Sequence, residues 1–563
     1  MMRNKRAAAL TAIAISVALG ATACGSSKSA TGSPSNNSGA VTKGGTLTYY
    51  APSDFDHIDP QRTYTTQGQN IGREIYRSLT GWQQEASAPD AAPKLVGDLA
   101  TDTGTPSNGA KTWTFHIRPG VKWQSGETVT SQDVKYGVER SFDPDLSGGP
   151  AYAKQFLAND DAYKGPTKSG DLASIQTPDA STVVFQLKTP VSDFNEATAM
   201  ETFSAVPKAH DTGATYDTHV WSDGPYQIQS YTKNKELVLV ANKQWTKAVD
   251  PLRDQNVDKI DVKMGQDQAA LDQLMKADGP DAQTAIIDDP VAGTDLNTFS
   301  TDPTLKSRWH TIAAPGINYL ALNTTTIKDL KVRQAIEYAI NKQTVRGAFG
   351  GEAYGKYATT FLPPGTDGRV DAAPYGTDPA GDPTKAKALL AAAGVKNLTL
   401  SLAVESTPTQ AKVGTAIKDA LATVGITVNI KQIDRGSYFN TVGKISNNYD
   451  MIWADWIADW PNASTIIPPI FDGRQIIPEG NQVFSQLKDP AAEAQMDKIA
   501  AMSDPAAANA AWGALDVQIL QNDAPVVPLV YMTFNELQGS KVGGLTDDSV
   551  LAEMNLAHVY IKK

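Results

Sequence analysis

Between positions 453 and 460 the chain packs three tryptophans and two carboxylates into eight residues: Trp453, Asp455, Trp456, Asp459 and Trp460. Carboxylates beside aromatic faces suit a cleft that holds an amine. An isolated ammonium is costly to take out of water, and a carboxylate opposite it supplies charge-assisted hydrogen bonds. Tryptophan faces suit sugar rings as well. The two carboxylates also have the composition of a hydrolytic acid–base pair. Such pairs usually come from separated segments, however, and no second carboxylate cluster of comparable context occurs here. Trp453 reads as core and Asp455 as structural. Trp456 and Trp460 are balanced between core and cleft wall. Asp459 reads as functional.

Other reactive side chains are thinly spread. His57, His116, His210, His219, His310 and His558 make no tight ligand pair, although His210 and His219 share one loop-like stretch. Transition metals favour imidazole and thiolate, and the chain has a single cysteine, Cys24. No metal is expected, and no intramolecular disulfide can form. There is no Gly-x-Ser-x-Gly elbow, His-Glu-x-x-His pair or phosphate-cradling loop, so neither an enzyme nor a cofactor is expected. The formal charge of −11 opposes the basic excess of a nucleic-acid binder.

Cys24 takes its meaning from its position. Arg3, Lys5 and Arg6 precede an uncharged apolar run over 7–20, too short to span a bilayer and suited to a signal peptide. Ala21, Thr22, Ala23, Cys24 and Gly25 follow. This resembles the lipobox of bacterial lipoprotein precursors, which implies cleavage before Cys24 and diacylglycerol on its thiol. Two acyl chains anchor stably because each buried CH₂ contributes ~0.8 kcal/mol. Residues 1–23 therefore read as signal peptide. Residues 24–44, rich in Ser, Gly and Asn, read as a flexible tether. The body is expected outside the cytoplasmic membrane, held to it by lipid.

The elements that must position the tryptophan–aspartate segment follow from periodicity. Leu47 and Tyr49 alternate with threonines as in a strand, and so do Trp113, Phe115 and Ile117. Thr130 can cap a helix running to Arg140, with Val134 and Val138 on one face. Further strands fall at 183–187, 225–241 and 255–264. After 310 the pattern changes. Val332, Ile336, Ala339 and Ile340 mark an amphipathic helix over 328–341. Asp382 and Pro383 open another helix, which Gly394 closes. Alternation at 398–404, a helix over 409–424 and alternation at 426–430 make a β-α-β unit with parallel strands and a right-handed crossover. A strand at 450–456 leads into the tryptophan–aspartate segment. Pro525 and Pro528 confine 524–532 to an edge or an inter-domain crossing. A chain of 563 residues is too long for one simple core.

Five stretches, in order, are similar to one family. They are 113–140, Gly224-Pro225-Tyr226 with 237–245, 331–342, 382–394 and 449–462. The chain resembles extracellular solute-binding proteins of the peptide/nickel type, family 5, and above all the dipeptide- and oligopeptide-binding lipoproteins. The resemblance implies an α/β, two-lobed periplasmic-binding-protein-like fold (type II, cluster C) with an extra small α+β subdomain. One lobe would take 45–85, 200–310 and 524–563, the subdomain 86–199 and the second lobe 311–523. It implies a monomeric receptor that delivers peptide to an ABC permease and its ATPase. An oligosaccharide or other solute is the alternative, with nickel or haem less favoured. In oligopeptide-binding relatives the aspartate at the place of Asp459 meets the ligand α-amine. Carried over, Asp459 is the amine anchor and Trp456 and Trp460 are cleft walls. Pro461-Asn462 departs from the family pattern, which puts the local loop shape in question. Arg333, on a helix that matches for packing reasons, is expected in solvent or in a structural ion pair.

Overall fold

The computed structural model describes residues 41–84, 93–146, 148–159 and 162–563; the expected signal peptide, Cys24 and most of the expected tether lie outside them. Residues 42–563 form one compact unit. Its core divides around three sheets.

The first is a five-stranded sheet in the order Ala285–Ile287, Thr46–Ala51, Lys259–Met264, Glu236–Ala241, Tyr226–Thr232. Thr46–Ala51 pairs parallel with both of its neighbours, and the remaining pairs are antiparallel. The alternation seen in sequence now has a cause. Leu47, Tyr49, Leu237, Leu239, Ile260 and Val262 all enter one core, joined from the chain's end by Val542, Met554 and Val559.

The second sheet has four antiparallel strands in the order Thr105–Ser107, Thr112–His116, Thr182–Gln186, Ile175–Asp179. The helix Ser131–Arg140 packs on it through Val134 and Val138. Its start is fixed by the Asp133 carboxylate, which accepts from the Thr130 amide at 2.8 Å, a capping arrangement that satisfies an otherwise orphaned donor.

The third sheet has six strands: Gly355–Tyr357, Val526–Leu537, Trp309–Leu322, Met451–Ile457, Thr399–Glu405 and Thr427–Ile433. Thr399–Glu405 and Thr427–Ile433 are parallel, joined by the helix Pro408–Ala422, which buries Val413, Ile417 and Leu421. Burying each such side chain contributes roughly 1.5–3 kcal/mol. From the sequence, Pro525 and Pro528 are expected at an edge or an inter-domain crossing. Val526–Leu537 lies between Gly355–Tyr357 and Trp309–Leu322, but the Gly355–Tyr357 pairing covers only Val530 to Met532, so Pro528 is paired on one side alone. The register with Trp309–Leu322 slips beside Pro528, between the pairs Asn318–Val530 and Tyr319–Pro528. That irregularity accommodates a residue with no amide donor.

Two long strands of this sheet belong to more than one core. In Trp309–Leu322, Ile312 packs in the first core, whereas residues from Ile317 onward pack in the third. A second register slip, between Ala313 and Ile317, marks the change. In Val526–Leu537, Val526 to Tyr531 lie in the third core, and Leu537 packs with Tyr50 and Leu271 beside the first sheet. Among the described residues no helix is long and apolar enough to cross a membrane.

Candidate functional site

Met451–Ile457 is an interior strand flanked by Trp309–Leu322 and Thr399–Glu405. Its first half is buried, and exposure begins at Asp455. The tryptophan–aspartate segment thus leaves the sheet at its carboxyl edge, where open α/β sheets hold their ligands. Trp453 is core and packs against Tyr438.

Asp459 lies just past the strand, where three parts of the molecule meet. Tyr64, ahead of the helix Thr66–Gly72, donates its hydroxyl to Asp459 Oδ1 at 2.8 Å. Tyr152, which begins the helix Tyr152–Phe156 beside the four-stranded sheet, donates to Oδ2. Among the described residues these neutral hydroxyls are its partners, and no cation pairs with it. Burial pushes the Asp459 carboxyl up, while the two hydroxyls pull it down. Burial and the Asp459 charge in turn push up both tyrosine hydroxyls. The result is a half-buried, partly desolvated carboxyl without a counter-ion among the described residues, a group that a ligand cation would complement.

Trp456 is half-buried, and its indole N–H donates to the Thr465 carbonyl at 2.9 Å. With Tyr64, Phe439, Asp455, Gln482 and Leu551 it lines an open cavity of about 500 Å³ that reaches Asp459. Trp460 sits elsewhere than on an open wall. It is 2% exposed and packs into the core of the four-stranded sheet. Its ring lies 4.7 Å from that of Tyr152, and its N–H donates to Asp193 at 3.0 Å. Trp460 is thus a strut beneath one of the tyrosines on Asp459. Asp455 faces the same cavity as Trp456. Burial and the Glu405 charge push its carboxyl up to about 6, with Arg435 opposing.

Tyr64 and Tyr152 carry no sequence signal. They stand 395 and 307 residues from Asp459 and belong to no spacing pattern. Arg333 is structural: its guanidinium donates to the carbonyls of Ile327, Lys328 and Asp523. His57, His116, His310 and His558 each pair with an aspartate, and among the described residues no three side chains gather as a metal site.

The family of bacterial extracellular solute-binding proteins, family 5 middle, matches residues 94–477. The periplasmic oligopeptide-binding protein OppA of Escherichia coli strain K12 is 24% identical over 552 residues, covering 91% of each chain. A putative ABC transporter peptide-binding protein of Brucella ovis is 27% identical, covering 75% of this chain and 76% of its own length. Among solved structures, the clavulanic acid biosynthesis oligopeptide binding protein 2 superposes with a TM-score of 0.86 at 29% identity, covering 93% of this chain and 96% of that one. The α/β, two-lobed periplasmic-binding-protein-like fold expected from the sequence is borne out. With its match over the main body, this chain belongs to the bacterial extracellular solute-binding proteins of family 5.

Proposed function

We propose that the protein is the extracytoplasmic substrate-binding lipoprotein of an ABC importer, capturing peptides between its lobes and passing them to a membrane permease. The observation that carries this reading is the Asp459 carboxylate, desolvated and met by hydroxyls from two other parts of the chain. A peptide α-amine supplies the missing positive charge and three donors. The peptide backbone then runs past Trp456, which serves as a wall, while Trp460 holds Tyr152 in place. The names of the relatives, oligopeptide- and peptide-binding proteins, support the substrate class.

In this reading the lobes are 45–85 with 200–310 and 524–563, and 311–523, with 86–199 as the added subdomain. The strands Trp309–Leu322 and Val526–Leu537 carry the hinge. Ligand bridges both lobes and so favours the closed form. The receptor acts as a monomer, transforms nothing and is held to the membrane through lipid on Cys24.

Titration calorimetry of the Cys24→Ser mature chain with a pool of free-amine pentapeptides tests the reading. Saturable heat with these, and none with maltooligosaccharides, is expected; the reverse pattern overturns the substrate class. For the anchor, labelled palmitate should enter the wild-type protein but not Cys24→Ser. Equal labelling removes the lipidation site.

A further inference from the structure

The chain enters the body on one face of the first sheet. Thr42 donates its hydroxyl to the Ile561 carbonyl, and the Gly44 amide donates to the Asn256 carbonyl at 2.7 Å. The three parallel strands all begin at this face. Residues 42–45 lead into Thr46–Ala51, 255–258 into Lys259–Met264 and 281–284 into Ala285–Ile287. The chain's end joins them, with Val542–Gly543 paired antiparallel to Tyr560–Ile561. Tyr64, which bonds Asp459, follows the opposite end of Thr46–Ala51.

Four exposed lysines gather there: Lys43, Lys541, Lys562 and Lys563. The Lys562 amide donates to the Lys541 carbonyl at 2.7 Å, which continues the register of the terminal strand pair and sets these two residues opposite one another. Like charges directly opposite on paired strands are unfavourable. Lys43 and Lys562 give their ammonium groups to the carbonyls of Gln255 and Ser540, at 2.8 and 3.2 Å. Among the described residues none of the four lysines is in a salt bridge, whereas neighbouring Lys247 and Lys259 each pair with an aspartate. Asp258 and Asp281 are the exposed carboxylates on the adjoining segments, and Asp278 is turned to Arg308. The expected tether adds Lys28 and no acidic residue. A chain of net charge −11 thus turns a basic face to its own attachment point.

We propose that this face lies on an anionic lipid surface, with the four lysines meeting the headgroup phosphates. The proposal rests on the reading of Cys24 as the lipid-bearing residue. Seventeen residues, 24–40, separate that cysteine from the first described residue, a stretch that spans at most about 60 Å. The face at which the chain enters is therefore the part of the body kept nearest the bilayer. Anionic surfaces attract lysines held within about a Debye length, ~8 Å at physiological salt, and a basic patch is a second anchoring signal beside acyl chains. Asp459 and its partners, beyond the other end of the strand, stay clear of the membrane while peptide is captured.

The test couples the mature chain, 24–563, through Cys24, its one thiol, to maleimide lipid in phosphatidylcholine vesicles with or without a one-third share of phosphatidylglycerol. The anchor is then imposed chemically, so the result does not depend on whether a cell acylates Cys24. Lysines are acetylated briefly and read one by one by mass spectrometry. At about 0.01 M salt, where the Debye length is ~30 Å, the four lysines should react at least about threefold more slowly on the anionic vesicles, and at about 1 M salt, where it is ~3 Å, the difference should vanish. Lys412 and Lys418, exposed on Pro408–Ala422, should react alike on both. Equal rates for the four lysines, or a slowing shared by Lys412 and Lys418, overturn the proposal. Lys541→Gln combined with Lys562→Gln should return Lys43 to its rate on neutral vesicles. Slowing of Lys43 that persists in the folded double variant assigns the effect to the tether alone and also overturns the proposal.

Discussion

Replacing Asp459 by asparagine isolates the charge of the proposed anchor. The side chain keeps its outline and one acceptor oxygen, so a tyrosine hydroxyl can still bond to it, but the carboxylate that would face the ammonium is gone. Removing one partner of a buried, hydrogen-bonded charge pair costs about 2–5 kcal/mol. Because one acceptor survives, and because Tyr64 leaves part of the site open, the lower part of that range applies, about 2–3 kcal/mol. At about 1.4 kcal/mol per tenfold the Kd for a free-amine pentapeptide should rise roughly 30- to 150-fold. The control is the same peptide with an acetylated N-terminus, which should bind the wild type weakly and lose less than about threefold more in the variant. Calorimetry with both peptides on both proteins closes the cycle. Free-amine binding within about twofold of wild type, or an equal loss for the acetylated peptide, refutes the anchor. The variant should not melt earlier, because it relieves a desolvated charge.

Three further outcomes follow from the same structure. Asp288, Glu536 and Glu553 are buried together, and burial pushes all three carboxyls well above their usual range. They hold protons in the folded chain that the unfolded chain has released above roughly pH 4. Stability therefore falls as pH rises. Glu74, Glu139, Glu201 and Asp223, pushed up to about 7 by burial, act in the same direction. The melting temperature should be higher at pH 5 than at pH 8, and Glu536→Gln should flatten the difference; a rise toward pH 8 contradicts this. Arg140 bonds Asp59, which is 0% exposed, at 2.6 Å and Asp211 at 2.9 Å. Arg140→Ala leaves those carboxylates uncompensated and should cost about 3–5 kcal/mol in urea unfolding; a cost under about 1 kcal/mol would show that water repays the pair. Tyr152→Phe removes one hydroxyl from Asp459, a hydrogen bond to a charged group worth about 1.5–3 kcal/mol. Small-angle scattering of the ligand-free protein should show a larger radius of gyration, and an unchanged radius argues that this contact does not hold the lobes together.

Much of the frame was legible because it depends on local periodicity. The alternation of Leu47 and Tyr49, the capped helix from Ser131 to Arg140 and the β-α-β unit around Pro408–Ala422 all report which face meets a core. Pro528 was informative because a residue without a donor suits a stretch paired on one side, as here past the end of the Gly355–Tyr357 pairing; the slip that leaves Leu529 unmatched beside it carried no sequence signal. Of the site, Asp459 and Trp456 could be found because they sit in one dense segment. Trp460, in the same segment, turned into another core, since burial depends on a four-stranded sheet built from residues some 270–350 positions away. Tyr64 and Tyr152 were invisible for a related reason. Each is an ordinary residue made special by a distant neighbour, and tertiary contact leaves no mark on spacing.

The most direct test of the account is to ask what the protein holds when it leaves the cell. The Cys24→Ser chain, purified without denaturation, is sprayed intact into a mass spectrometer and its ligand released gently. A heterogeneous set of short peptide masses is what the account predicts. A single non-peptide mass, such as a sugar, would leave the fold and the family in place and contradict both the substrate and the role of Asp459.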